Sequence, residues 1–239
     1  MPDFSNDYVI RVSREASEIE AGAWNALLAL AGGSPFMRHE YLAALQESGS
    51  ATRATGWSPQ FVTLWREGEL HAACPLYLKS HSYGEYVFDW AWANAYEQHG
   101  LRYYPKGLTA VPFTPVPGPR LLARDAAARA ALVRAVLQVC RKSKLSSWHL
   151  LFASDEDVAA CADAGLMLRH TVQFHWMNRA PTRGTDLSAL PPEGAASALG
   201  RPGGGSAAYA DFDAFLASLT QEKRKKIRQE RRKVAEAGV

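Results

Sequence analysis

The sequence predicts an α/β fold of the α+β kind, in which helices cover both faces of a central mixed β-sheet. Two observations carry this reading. Helical and strand periodicities alternate along residues 1–178 in the order helix, helix, hairpin, strand, helix, strand, helix, strand. The 239 residues, 47% apolar and 21% charged, match one substantial globular domain, or one domain and part of a second.

Taken in order, the first helix is expected from about Ser17, where Ser17 and Glu20 have capping-box spacing, through Ile19, Trp24, Leu27 and Leu28 to the Gly32-Gly33 stop. A second is expected from His39 to Gln46, ending at Gly49. PQFVTLW and ELHAACPLYLK read as strands, with Glu67-Gly68 between them as a hairpin turn. LTAVPF follows as a strand, closed by the Pro-rich PFTPVPGPR. DAAARAALVRAVLQVCRKS is a helix with Leu132, Val133, Val136, Leu137 and Cys140 on one side and basic residues in its last turn. SSWHLLF is a short strand, DEDVAACADAGL a helix stopped by Gly165, and MLRHTVQFHWMN a strand.

After residue 179 the composition turns to Gly, Pro, Ala and Ser, too poor in apolar surface to offset chain entropy, and 180–208 reads as a disordered linker or insertion. A helix resumes with Asp211 as N-cap. Phe212, Phe215, Leu216 and Leu219 lie at i, i+3, i+4 and i+7, and KRKKIRQERRKVAEAG carries the helix onward to Gly238. With no later element for its apolar face, 209–239 reads as the start of a second, incomplete domain.

The formal charge of +3 is unevenly spread. Residues 221–239 hold eight basic and three acidic side chains, so the basicity belongs to the tail and the rest is slightly acidic. No apolar run approaches a membrane span, and Asp3 and Asp7 stand where a signal peptide needs basic residues, so a cytoplasmic location is expected. Cys74, Cys140 and Cys161 are widely spaced without a CxxC pair, which implies neither a disulfide framework nor a zinc site.

The segment Tyr77 to Phe113 holds ten of the 25 aromatic residues in 37 positions, interleaved with Lys79, His81, Glu85, Asp89, His99 and Lys106. Rings alternating with ionisable groups fit the wall of a polar-lined cleft, or a half-buried irregular segment whose tyrosines find hydrogen-bond partners. The catalytic candidates are Asp89, Glu85, His81 and His39. Asp89, between Phe88 and Trp90, is expected to be partly desolvated with a raised pKa suited to proton transfer, or else to be a solvated loop aspartate. His39-Glu40 is either an acid/base pair facing the cleft or an N-cap with a first-turn carboxylate. Lys79, His81 and Glu85 sit where a strand gives way to a loop. Tyr103, Tyr104 and Lys106 could orient a phosphate or carboxylate, or the tyrosines could be sheet packing. Tyr83, Tyr86, Trp90, Phe113, Thr114, His175 and Trp176 complete the candidate substrate wall. His170 and His175 point to opposite faces of one strand, so no metal site is expected. In the tail Arg224, Arg228 and Arg232 form a helical row, either a phosphate or RNA contact or a solvated face laced by Glu222–Lys226 and Lys226–Glu230 pairs.

Several ordered strings are similar to the Fem-related (FemAB-like) acyltransferases, in the predicted N-acyltransferase branch described as peptidoglycan biosynthesis or recognition proteins. They are SPFMRHEYLAALQESG (34–49), PLYLKSHSYGEYVFDWAWANAY (75–96), YYPKGLTAVPFTPVPGPRLL (103–122), QFHWMN (173–178) and KRKKIRQERRKV (223–234). The resemblance covers about 20–178 and 209–239. It implies paired GNAT domains, with 1–179 as the first, in which the strand before the Pro-rich turn and SSWHLLF splay apart. An acyl donor enters the gap and an amine attacks it directly. It also implies an acyl-coenzyme A or aminoacyl-tRNA donor, an amine-bearing acceptor such as a peptidoglycan precursor, no metal, and RNA contact through the basic helix. A non-catalytic module recognising a cell-wall precursor or nucleic acid is the rival expectation. In one place the sequence departs from the pattern. Many GNAT enzymes hold the coenzyme A pyrophosphate on a Gly-rich turn, whereas here the turn reads TPVPGPRLLARD, in which Pro115, Pro117 and Pro119 have no N–H.

Overall fold

The computed structural model describes residues 8–87, 89–173, 178 and 208–238. The chain divides into two units, Met1–Arg169 and His170–Val239. Among the described residues no helix is long and apolar enough to cross a membrane.

In the first unit, strand β1 (Val9–Ser13) leads to helices α1 (Ala21–Leu30) and α2 (His39–Glu47). The hairpin β2 (Trp57–Arg66) and β3 (Glu69–Lys79) follows, then helix α3 (Trp90–Gln98) and strands β4 (Lys106–Thr109) and β5 (Leu122–Ala123). Helix α4 (Ala126–Lys142), strand β6 (Trp148–Leu150) and helix α5 (Asp155–Asp163) complete it. The sheet order is β1-β2-β3-β4-β6, with β5 also on β3. Every pair is antiparallel except β4–β6, which is parallel over Gly107↔Trp148 to Thr109↔Leu150.

The hairpin forms as expected because Glu67 and Gly68 both take positive φ (54° and 83°), the two-residue turn whose twist matches the strands. β3 is the buried centre of the sheet, and its period-two alternation feeds two cores. Val62, Leu64, Ala72, Cys74 and Leu76 pack against Leu132, Val133 and Val136 of α4. Phe61, Leu70 and Ala73 pack on the other side against Trp24, Leu27 and Leu28 of α1 and Leu42 of α2. Helices therefore cover both faces, as the sequence predicts.

Several boundaries differ from expectation. α1 begins at Ala21, because the Glu20 carboxylate accepts from the N–H groups of Gly22 and Ala23, and Ser17 lies in a short 3-10 turn before it. β1 is unpredicted: its residues are largely exposed, so no apolar alternation marks it. α3 arises inside the aromatic block, where Ala91, Ala93, Ala95, Glu97 and Gln98 favour helix although none of its residues is buried. β4 starts at Lys106, upstream of the expected LTAVPF strand, so Tyr103 and Tyr104 precede it instead of lying on a strand. No strand forms over 167–173; the rest of that expected strand, except Asn178, and the linker 180–207 lie outside the described residues.

In the second unit, Asp211 caps α6 (Phe212–Ala217) through its bond from Ala214 N–H (2.7 Å). The single tail helix expected from the sequence is two, because Thr220 adopts an extended conformation (ψ 154°) before α7 (Gln221–Glu236). Phe212 and Phe215 meet at 5.7 Å between ring centroids, and the Arg231 guanidinium lies 4.3 Å over Phe212.

Leu132 has no solvent exposure whereas Leu30 is 67% exposed. Leu132→Ala is therefore expected to cost about 2–5 kcal/mol in urea unfolding, and Leu30→Ala no more than about 0.5 kcal/mol.

Candidate active site

Sheet register places a row of three large side chains side by side: Trp57 on β2 faces Lys79 on β3, which faces Lys106 on β4. Both lysines are buried, at 0% and 1% exposure. Like charges directly opposite one another in a sheet repel, and burial removes the water that would screen them, so the surroundings must supply compensation. Lys79 Nζ lies 3.5 Å over the Trp57 ring and donates to the carbonyl of Tyr83 (3.2 Å). Lys106 Nζ donates to Glu85 Oε2 (2.7 Å), to Ser82 Oγ (2.9 Å) and, in a short contact, to Asp89 Oδ2.

The loop between β3 and α3 brings in both carboxylates. It turns through Gly84 (φ 79°) and Tyr86, a non-glycine residue at φ 58°, and such strained positions concentrate at sites. Gly84 is required for a second reason, because a Cβ there would stand 2.6 Å from the Phe113 ring. Phe113 N–H donates to the Gly84 carbonyl (3.2 Å) and its ring packs on Trp57 (5.4 Å), which joins this loop to the Pro-rich turn.

The two acids are not equivalent. Desolvation pushes the Asp89 carboxyl upward, but hydrogen bonds from Lys106, Tyr103 Oη (2.8 Å) and Ser82 Oγ (2.9 Å) outweigh it and hold Asp89 below the usual aspartate range. The raised pKa expected for Asp89 is thus overturned: the flanking rings desolvate it, yet its donors favour the ionised form. Burial does raise Glu85, against the attraction of Lys106. Its Oε1 is buried without a hydrogen-bond partner among the described residues. Burial also lowers Lys79 to about 8, against the attraction of Glu85.

Tyr104 Oη bonds Ser82 Oγ (2.8 Å), and His149 on β6 reaches Tyr103 Oη (3.3 Å) and Ser147 Oγ (2.8 Å) through Nε2. Burial pushes His149 down to about 4, with the Lys106 charge adding to the effect, so it is neutral at ordinary pH. Sequence reasoning missed Ser82 and His149. A serine in a loop carries no signal, and SSWHLLF does not reveal which neighbour its histidine faces.

The structure thus gathers Lys79, Glu85, Asp89, Tyr103, Tyr104 and Lys106 into one network. Tyr83, Tyr86 and Trp90 stand exposed around it, with Tyr83 and Trp90 in edge-on contact at 6.4 Å. His81 belongs to the loop scaffold: its Nδ1 accepts from Tyr83 N–H (3.2 Å), and a Cβ on Gly56 would stand 2.2 Å from its Nε2. Thr114 bonds Tyr41 Oη (3.3 Å). His39 does not join the network. Its Nε2 meets the Ala16 carbonyl (2.8 Å), Arg38 is the N-cap of α2, and Glu40 pairs with Arg38 (3.0 Å). His175 and Trp176 lie outside the described residues. In the second unit Arg224 donates to the Ala217 carbonyl (3.4 Å), Arg228 lies 3.8 Å from Asp213 and Arg232 3.5 Å from Glu236. Cys74 and Cys140 are buried, and burial raises both thiols, Cys140 to about 11, which disfavours thiolate chemistry.

The depressed Lys79 has a measurable consequence. Between pH of about 8 and 10.5 the unfolded chain keeps the Lys79 proton that the folded chain has released, so stability rises with pH across that window. The destabilising charged form takes over as pH falls through about 8. Lys79→Met is expected to flatten this rise in chemical-denaturation midpoints measured from pH 7 to 10; an unchanged pH slope would contradict the assignment.

Among solved structures, the chain is similar to a ribosomal-protein-alanine N-acetyltransferase from Brucella melitensis biovar Abortus 2308, at 14% identity and TM-score 0.41, over 71% of this chain and 98% of that one. It is also similar to an acetyltransferase of Trypanosoma brucei, at 12% identity and TM-score 0.40 over 71% and 99% of the two chains. A third is the aminoglycoside antibiotic 6'-N-acetyltransferase of Acinetobacter haemolyticus, at 11% identity and TM-score 0.38 over 73% and 99%. No curated protein matches the chain. A family model described as peptidoglycan biosynthesis/recognition matches residues 15–187 and 205–239, which spans the whole lysine–carboxylate network, α6 and α7. The chain therefore belongs to the FemAB-like family.

Proposed function

We propose that this protein is an N-acyltransferase that passes an acyl or aminoacyl group to an amine by direct attack, with the amine presented by a peptidoglycan precursor. The observation that carries the reading is the free Oε1 of Glu85. A buried carboxyl with a raised pKa and one unpartnered oxygen is a proton acceptor in waiting, whereas Asp89 has its proton affinity suppressed by three donors. In the step, the amine lone pair forms the new C–N bond, the amine proton passes to Glu85 Oε1, and the leaving group departs with its bonding pair. Asp89 anchors Lys106, and Lys106 holds Glu85 by its other oxygen. The exposed rings of Tyr83, Tyr86 and Trp90 offer apolar faces to the acceptor. Family membership supports the choice of a cell-wall acceptor.

Glu85→Gln preserves shape and removes the base. It is expected to lower turnover by about 10²–10⁴-fold while its circular dichroism stays close to the parent's. Asp89→Asn is expected to lower both turnover and stability, because it weakens the anchor of a buried ammonium. Parent-like turnover in Glu85→Gln would remove Glu85 from the chemistry.

A second reading concerns α7, which is exposed along its length and carries eight basic residues against Glu222, Glu230 and Glu236. Such a surface suits a polyphosphate such as RNA. Replacing Arg224 and Arg228 together by Gln is then expected to reduce the salt slope of RNA binding by about one logarithmic unit per lost phosphate contact. If the row only decorates a solvated helix, affinity and slope stay as they were, since exposed pairs contribute about 1 kcal/mol or less.

A further inference from the structure

A coenzyme A donor needs a cluster of free N–H groups for its diphosphate in the turn after β4, and residues 112–121 leave only that of Val116. Pro112, Pro115, Pro117 and Pro119 have no N–H. Of the remaining donors, Phe113 N–H goes to the Gly84 carbonyl (3.2 Å), Thr114 N–H to Val111 (3.3 Å) and Gly118 N–H to Phe152 (3.0 Å), while the N–H of the exposed Val116 has no partner among the described residues. The last two, Arg120 N–H and Leu121 N–H, converge on Asp157 Oδ2 at 2.6 and 3.3 Å. Asp157 sits in the first turn of α5 with no solvent exposure, and Arg129 Nε approaches its other oxygen to 3.5 Å. Two consecutive N–H groups on one carboxyl oxygen and an arginine near the other, which makes no hydrogen bond among the described residues, are what a phosphate would require, and here the chain supplies the acidic group itself. At the start of α4 Asp125 Oδ1 accepts from Ala128 N–H (2.7 Å), which places a second carboxylate where an anion would approach that helix.

The gap between the parallel strands is closed by the same turn. The last β4–β6 bond runs from Leu151 N–H to the Thr109 carbonyl (3.1 Å). Beyond it the strands part, and the carbonyls of Leu151 and Phe152 are taken by Arg120 Nε (3.1 Å) and Gly118 N–H (3.0 Å). Arg120, 1% exposed, also donates to the carbonyls of Pro119 (3.2 Å) and Val116 (2.5 Å).

We infer that the Pro-rich turn is a self-closed anion site, in which the Asp157 carboxylate stands where a donor diphosphate would lie, so that this unit does not hold coenzyme A there. The closure follows from the geometry alone. Its consequence, that the acyl group arrives on a donor held in some other way, rests on the acyl-transfer reading above.

The test is amide NMR on the full ¹⁵N-labelled chain. The Arg120 and Leu121 amides are expected to exchange slowly with D₂O, and to keep their positions when coenzyme A or inorganic pyrophosphate is added to millimolar concentration. Saturable shifts of these two amides by either compound, or fast exchange in the parent protein, would overturn the inference. In Asp157→Ala their exchange is expected to accelerate by about tenfold or more relative to the β2–β3 amides, the effect of losing a charge-assisted bond. Unchanged exchange in a folded Asp157→Ala would likewise overturn it. If that variant does not fold, the titrations on the parent protein decide alone. None of these readouts depends on turnover, so they separate a failure of the closed turn from a failure of Glu85 as base.

Discussion

Everything around the candidate site follows from burying two lysines opposite each other across β3 and β4. A pair of ammonium groups in a sheet interior, each with 1% exposure or less, is untenable without counter-charge. The chain answers with a strained loop that delivers Glu85 and Asp89 within ten residues of the end of β3, and with the Trp57 ring beneath Lys79. The compensation is asymmetric. Asp89 is saturated by Lys106, Tyr103 and Ser82, while Glu85 keeps one oxygen unused and Lys79 donates a single hydrogen bond to the chain.

The other end of β4 meets a similar problem with a different outcome. Arg120 and Asp157 are also buried, but their hydrogen bonds run to backbone carbonyls and N–H groups of the same turn and of β6's end. That node ties the turn to β6 and α5, although Asp157 Oδ1, like Glu85 Oε1, has no hydrogen-bond partner among the described residues. The two ends communicate through Phe113, whose N–H meets Gly84 and whose ring meets Trp57, so the position of Glu85 depends on the packing of the Pro-rich turn. A substitution in the turn is therefore able to disturb the loop that carries Glu85 and Asp89 without touching it.

The fold was legible where side-chain period and turn chemistry agree. The β2–β3 hairpin, α2, α4 and α5 all have an apolar face and explicit boundary residues, and they form within a residue or two of their expected limits. Elements without a buried face left no such trace: β1, largely exposed, and α3, with no buried residue, went unread. The tail was read as one helix because its apolar spacing continues through Leu219, and only the extended backbone at Thr220 divides it.

The sequence by itself determined that lysines, carboxylates and rings would crowd the stretch from Tyr77 to Phe113, because composition and spacing are properties of the chain. It also determined that the turn after β4 would be poor in N–H groups, since proline lacks one wherever it falls. Only the tertiary structure decided which carboxylate is free and which is bound, and that Asp157, 36 residues from Leu121, closes the turn. Proton affinity and hydrogen-bond satisfaction are set by the neighbours that folding brings within about 3 Å, and those neighbours come from separate strands and loops that no local pattern connects.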